Sequence, residues 1–144
     1  MTKIELFIPG EPMTAGSKIA GISKTGRRFC RPDGKFTRAW MDTVRKFASD
    51  QYKGPLLTGP ISLSVIFQFV RPKSHYGTGN NKNIIRKSAP KYPGGKDIDK
   101  LERALGDGLT GIVWRNDNQV YRHFEPFLKT YGDRAGVHVT IIED

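Results

Sequence analysis

Apolar residues recur along this chain at two distinct spacings, and the spacings predict the elements. Residues 3–8 alternate, placing Ile4, Leu6 and Ile8 on one side of a strand that Pro9-Gly10 ends. Phe36, Trp40, Val44, Phe47 and Ala48 stand at helical spacing, so residues 36–52 are read as an amphipathic helix with that stripe turned into the core. The clearest alternation lies over residues 61–70: Ile61, Leu63, Val65, Phe67 and Phe69 face one way, Ser62, Ser64 and Gln68 the other. A second helix is expected over 98–109, with Ile98, Leu101, Leu105 and Leu109 inward and Gly108 and Gly111 marking its end. Two strands follow, near 119–127 and 137–142. The expected fold is therefore α+β: a small mixed sheet of about four strands packed with two helices, in the order β-α-β-α-β-β. With 144 residues and no internal repeat, one domain over 1–144 is expected.

Two stretches carry no such period. Residues 10–35 are rich in Gly, Lys and Arg, and Pro32-Asp33-Gly34 is a turn signal, so a basic loop with a short hairpin is expected there. Residues 71–96 form a longer loop of Pro, Gly, Asn and Lys with Tyr76 and Tyr92 interleaved. Loops of that length in a compact domain are usually functional or disordered. The alternatives are a phosphate-contacting arm and a solvated insertion.

Charge sharpens the choice. There are 24 Lys+Arg against 14 Asp+Glu, a formal net charge of +10, which draws a small domain to polyanions. Nucleic acid is favoured over anionic membrane, because no basic amphipathic helix of the membrane-surface type is visible. No apolar run is long enough to span a bilayer, and the start has no signal-peptide pattern, so a cytoplasmic, DNA-associated protein is expected. The single cysteine, Cys30, excludes an internal disulfide or a zinc knuckle. His75, His123 and His138 lack zinc-ligand spacing, and His75, in the basic loop, is the best placed of them for a DNA contact.

Against this basic background the stretch from Lys96 to Asp107, with Asp117 just beyond, concentrates carboxylates. At about 100° per residue, Asp99, Arg103 and Asp107 share one side of the second helix and the leucines the other. Carboxylates repel phosphate, and a divalent cation between them reverses that: Mg²⁺ takes one or two carboxylates, keeps several waters and can polarise a phosphoryl oxygen. Simpler readings stand beside this one. Asp97 or Asp99 fits an N-cap, Asp99 with Arg103 an i,i+4 pair, and Asp117 between Asn116 and Asn118 ordinary turn chemistry.

The pattern Asp97-Ile98-Asp99-Lys100-Leu101-Glu102-Arg103, then Asp107, then Trp114-Arg115-Asn116-Asp117-Asn118-Gln119-Val120, resembles the RusA family of Holliday junction resolvases. The similarity spans about residues 96–132 and extends weakly over Pro9 to Pro12, Pro72 to His75 and Lys129 to Gly132. The resemblance implies a homodimeric, Mg²⁺-dependent endonuclease, with Mn²⁺ a substitute, that resolves branched DNA by paired incisions. It implies that Asp97, Asp99 and Asp117 bind the metal and that Arg103 stands where the family has a lysine. Asp107 and Lys100 are possible additions to the site, and Trp114 packs beside it. Three positions depart from the family: Lys100 for Asn, Arg103 for Lys and Asn116 for Asp. Arg and Lys are not interchangeable on a phosphate, so these changes bear on rate and metal affinity more than on reaction type.

Contacts to flanking DNA are expected from Lys18, Lys24, Arg27, Arg28 and Arg31 in the first loop. In the second they are expected from Lys73, His75, Lys82, Arg86, Lys87 and Lys96. Competing functions are a non-enzymatic nucleic-acid-binding module, which needs no cation and cuts nothing, and a metal-dependent nuclease for other branched or single-stranded DNA.

Overall fold

The structure is a computed structural model that describes residues 1–15, 18–32 and 35–144; for 18–21, 29–32 and 35 it describes the backbone alone. Among the described residues six strands and two α-helices run in the order β1 (Thr2–Pro9), β2 (Lys18–Ile22), β3 (Arg28–Pro32), α1 (Lys35–Gln51), β4 (Ile61–Phe69), α2 (Ile98–Leu109), β5 (Val120–Tyr131) and β6 (Gly136–Glu143). β2 and β3 pair as the expected hairpin; the turn at Asp33-Gly34 and the side chains of Lys18 and Arg31 lie outside the described residues. The other strands form one mixed sheet in the order β1-β6-β4-β5, antiparallel except for the β4–β5 pair. The α+β architecture read from the sequence is the one found.

Alternation in β4 is what places the core. Ile61, Leu63, Val65, Phe67 and Phe69 are all buried beside Val137, Val139 and Ile141 of β6. Ser62 and Ser64, on the opposite side of β4, are buried too, and each is satisfied: Ser62 Oγ donates to Asp144 at 3.0 Å and Ser64 Oγ to the Pro126 carbonyl at 2.6 Å. α1 contributes Trp40, Val44 and Ala48, a four-residue spacing that gives a helix one buried stripe. Phe36, placed in that stripe by the sequence pattern, is instead 64% exposed. Near the other end of α1, the Gln51 side-chain amide bonds both Phe7 N–H and Phe7 C=O, at 2.9 and 2.6 Å. It thus imitates a neighbouring strand and blunts the free edge of β1.

The helices meet at Gly108. A Cβ there would lie 2.7 Å from Val44 Cγ1 and 2.8 Å from Val44 Cβ, so Gly108 is a close-approach residue inside α2 as well as a signal near its end. Gly108→Ala is expected to destabilise by about 1–2 kcal/mol, overpacking outweighing the gain in helix propensity. Urea unfolding with an unchanged slope is the measurement that checks it.

Candidate active site

α2 begins where the sequence places it, but the residue just before it does not act as a simple cap. Asp97 has the extended backbone of an N-cap and its carbonyl accepts Leu101 N–H at 3.0 Å, yet its side chain caps nothing. The carboxylate is 68% exposed and stands 3.6 Å from Lys100 Nζ. Three contacts fix this approach to the helix. Lys129 Nζ donates to the Lys96 carbonyl at 2.8 Å, Lys96 Nζ pairs with Glu11 at 3.0 Å, and Ala15 N–H donates to the Lys100 carbonyl at 3.0 Å. Leu101, Ala104, Leu105 and Leu109 are fully buried, which turns Asp99 and Arg103 outward.

Asp117 is positioned by its neighbours. It opens a short 3-10 turn, Asp117–Gln119, whose capping box is made by Asn116 and Gln119. Asn116 Oδ1 accepts Asn118 N–H at 3.0 Å, and Gln119 Oε1 accepts Asn116 N–H at 2.7 Å. Gln119 Nε2 then donates to the carbonyls of Leu57 and Gly59, both at 3.0 Å, pinning the turn to the segment that enters β4. The turn chemistry therefore belongs to Asn116 and Gln119, and the Asp117 carboxylate is free of it. α2 comes close at Gly106, where a Cβ would sit 3.8 Å from Asp117 Cβ.

Between these two elements lies a cavity of about 230 Å³. Its polar wall is Asp99, Glu102, Arg103 and Asp117; Leu63, Leu105, Trp114 and Val120 form the apolar floor. Trp114 is 1% exposed, and its Nε1–H donates to Thr110 Oγ1 at 3.1 Å. Arg103 forms no ion pair among the described residues, so the Asp99–Arg103 helix pair is not made and the guanidinium remains available to an anion. Asp107 lies just beyond. Burial pushes its carboxyl above the ordinary range, the negative charge of Asp117 raises it further, and Arg103 and Arg45 act in the opposite direction.

The structure brings Asp99, Asp117 and Arg103 to one cavity and leaves Asp97 and Lys100 paired with each other at its approach. Among the described residues no three His, Cys, Asp or Glu are grouped closely enough to hold a metal ion, so the three carboxylates singled out from the sequence do not form a ready-made cluster. Asp99 and Asp117 still fit a hard divalent cation. They supply the one or two carboxylates Mg²⁺ takes, and a cation there would offset the repulsion between Asp117 and Asp107.

Two residues escaped the sequence reading. Glu102, three positions after Asp99, lines the cavity, and His123 Nε2 lies 2.7 Å from its Oε1. The His123 ring stacks on Phe127, centroids 4.2 Å apart. The i,i+3 spacing of Asp99 and Glu102 was the available signal; nothing local to His123 pointed to its partner.

The basic loops divide by what their cations already touch. Lys24, Arg27 and Arg28 are exposed on the hairpin, and Lys73, Lys82 and Lys87 are exposed on the long loop. Arg86 is engaged, its Nε donating to the Tyr76 carbonyl at 2.6 Å. His75 is engaged as well, with Arg71 Nη1 at 3.3 Å and the Tyr131 ring edge-on at 5.5 Å. Among the described residues no helix is long and apolar enough to cross a membrane.

Residues 9–142 match the family described as Endodeoxyribonuclease RusA. The chain is also 25% identical over 143 residues to the uncharacterized protein YqaN of Bacillus subtilis (strain 168), covering 99% of this chain and 98% of that one.

Proposed function

Since the chain belongs to the RusA family of endodeoxyribonucleases, hydrolases that act on DNA, we propose that it resolves four-way junctions by paired, Mg²⁺-dependent hydrolysis of the phosphodiester backbone. The observation that carries this reading is the meeting of Asp99 and Asp117, from different elements, with an unpaired Arg103 around one cavity. A bound Mg²⁺, or Mn²⁺ in its place, supplies charge that polarises the phosphoryl oxygen and eases deprotonation of water. Asp99 and Asp117 hold it. Asp97 joins them from the approach, because an exposed pair such as Asp97–Lys100 is worth little and releases its carboxylate readily. Arg103 binds the scissile phosphate with its planar fork and stabilises the charge that grows there. Water adds across the P–O3′ bond, leaving a 5′-phosphate and a 3′-hydroxyl. Lys100, once released, and Asp107 adjust the charge around the phosphate.

Exposed Lys and Arg of the two basic loops hold the flanking arms through their phosphates, without reading bases. A two-fold homodimer sets two such cavities across a junction of matching symmetry.

The test is cleavage of a labelled synthetic four-way junction, against duplex and single-strand controls, with and without Mg²⁺ and with Asp97→Asn in parallel. The expected result is symmetric, Mg²⁺-dependent incision of the junction that Asp97→Asn abolishes while binding persists. Binding with no incision under any divalent cation overturns the enzyme, and equal cutting of the controls overturns the junction preference.

A further inference from the structure

The long loop contains a second cavity, of about 320 Å³, that the reaction does not use. Lys73, Tyr76, Gly77, Lys82 and Asn83 line it. Its frame is tied by backbone bonds: Gly77 N–H to Ile84 C=O at 2.9 Å, Arg86 N–H to His75 C=O at 2.8 Å, and Tyr76 N–H to Lys73 C=O at 3.0 Å. A Cβ on Gly77 would stand 2.7 Å from the Asn81 carbonyl oxygen, so the loop closes this tightly only with glycine there. The frame is anchored to the sheet by Arg71, whose guanidinium lies 4.2 Å from the Tyr131 ring centroid and donates to Pro90 C=O at 2.7 Å.

Charge is unbalanced within this frame. Residues 71–96 contain no Asp or Glu, and neither Lys73 nor Lys82 has a carboxylate partner among the described residues. Two free ammonium groups, an aromatic ring and an amide around one concavity form a set that a duplex cannot fill, because its base faces are covered by stacking. An unpaired nucleotide offers a phosphate, an open π-face and a hydrogen-bonding edge together. The volume lies within the range of small-ligand pockets, about 300–1,000 Å³.

We propose that this cavity is a subsite for one unpaired DNA nucleotide, its phosphate between Lys73 and Lys82, its base on the Tyr76 ring and its edge on the Asn83 amide. The inference rests on the DNA-binding part of the function proposed above and is independent of catalysis.

The experiment measures binding in EDTA, so that incision does not enter, to two four-way junctions. One is fully paired; the other carries a single unpaired 2-aminopurine nucleotide at the branch. The wild-type protein is expected to prefer the second about tenfold, with quenching of the 2-aminopurine fluorescence. Tyr76→Leu, which leaves the backbone frame in place, and the double variant Lys73→Ala/Lys82→Ala abolish both the preference and the quenching. Lys87→Ala/Lys91→Ala removes the same charge outside the cavity and weakens both junctions equally, keeping the preference. Equal wild-type affinity for the two junctions overturns the subsite, as does identical behaviour of the two double variants when thermal melting shows all of them folded. Failure of the nuclease reading would appear separately, as absent Mg²⁺-dependent incision with the binding preference intact.

Discussion

Asp117→Asn is expected to slow junction cleavage about a thousandfold while leaving junction binding unchanged. The carboxylate contributes charge that holds the cation, and several kcal/mol of transition-state stabilisation at about 1.4 kcal/mol per tenfold gives that factor. Single-turnover incision at saturating protein reads it directly. Unfolding is not a competing explanation, because the substitution removes a repulsion. Burial and the Asp117 charge both raise the Asp107 carboxyl above its ordinary value, so the folded protein disfavours ionised Asp107. That cost is fully present above the raised value and disappears as pH falls below the ordinary value of 3.8. Without the Asp117 charge the cost shrinks, so the cation-free variant should melt no lower than wild type at neutral pH. Its advantage should vanish in acid. Wild-type cleavage by Asp117→Asn would remove this carboxylate from the site.

Much of the fold can be read from the chain because its signals are local. The alternation from Ile61 to Phe69 and the leucine spacing of α2 each state which face is buried, and one buried face suffices to fix a strand or a helix. Partner and direction are not local properties. Nothing in residues 120–131 announces that β5 runs parallel to β4. Nor does the pattern show that β5 continues past 127 to Tyr131: Pro126 interrupts the alternation, and the register shift between Leu63 and Val65 absorbs the irregularity. The site divides in the same way. The acidic motif and the tryptophan mark the right segment, but which carboxylates meet depends on tertiary placement. Asp117 comes to the cavity that Asp99 also lines because Gln119 ties its turn to the carbonyls of Leu57 and Gly59. Asp97 stands at the approach to the cavity rather than in its wall, because it occupies the last residue before the helix, where extended backbone separates it from the face that Asp99 and Arg103 share. Glu102 is tied to His123 across 21 residues of sequence, a pairing visible only once β5 lies beside α2.

The second large effect concerns the floor of the cavity. Trp114→Ala is expected to cost about 3–5 kcal/mol in urea unfolding, the range for emptying a fully buried large aromatic site. The loss should reach the site as well as the core. Trp114 pairs with Leu57 in a short bridge, its carbonyl accepts Gly111 N–H at 2.8 Å, and Leu57 is one of the two carbonyls that hold Gln119. These main-chain bonds survive the substitution, so the loosening expected at the Asp117 turn comes from the backbone shifting into the space the indole leaves. Trp114→Phe is the milder change. It keeps an aromatic ring but gives up part of the indole volume and the Nε1–H bond to Thr110 Oγ1, whose hydroxyl still donates to the Gly106 carbonyl at 2.7 Å. Its cost should stay at about 1–2 kcal/mol, with cleavage largely retained. If Trp114→Phe instead abolished cleavage at unchanged stability, the indole would be touching substrate, and the floor of the cavity would belong to the chemistry rather than to its support.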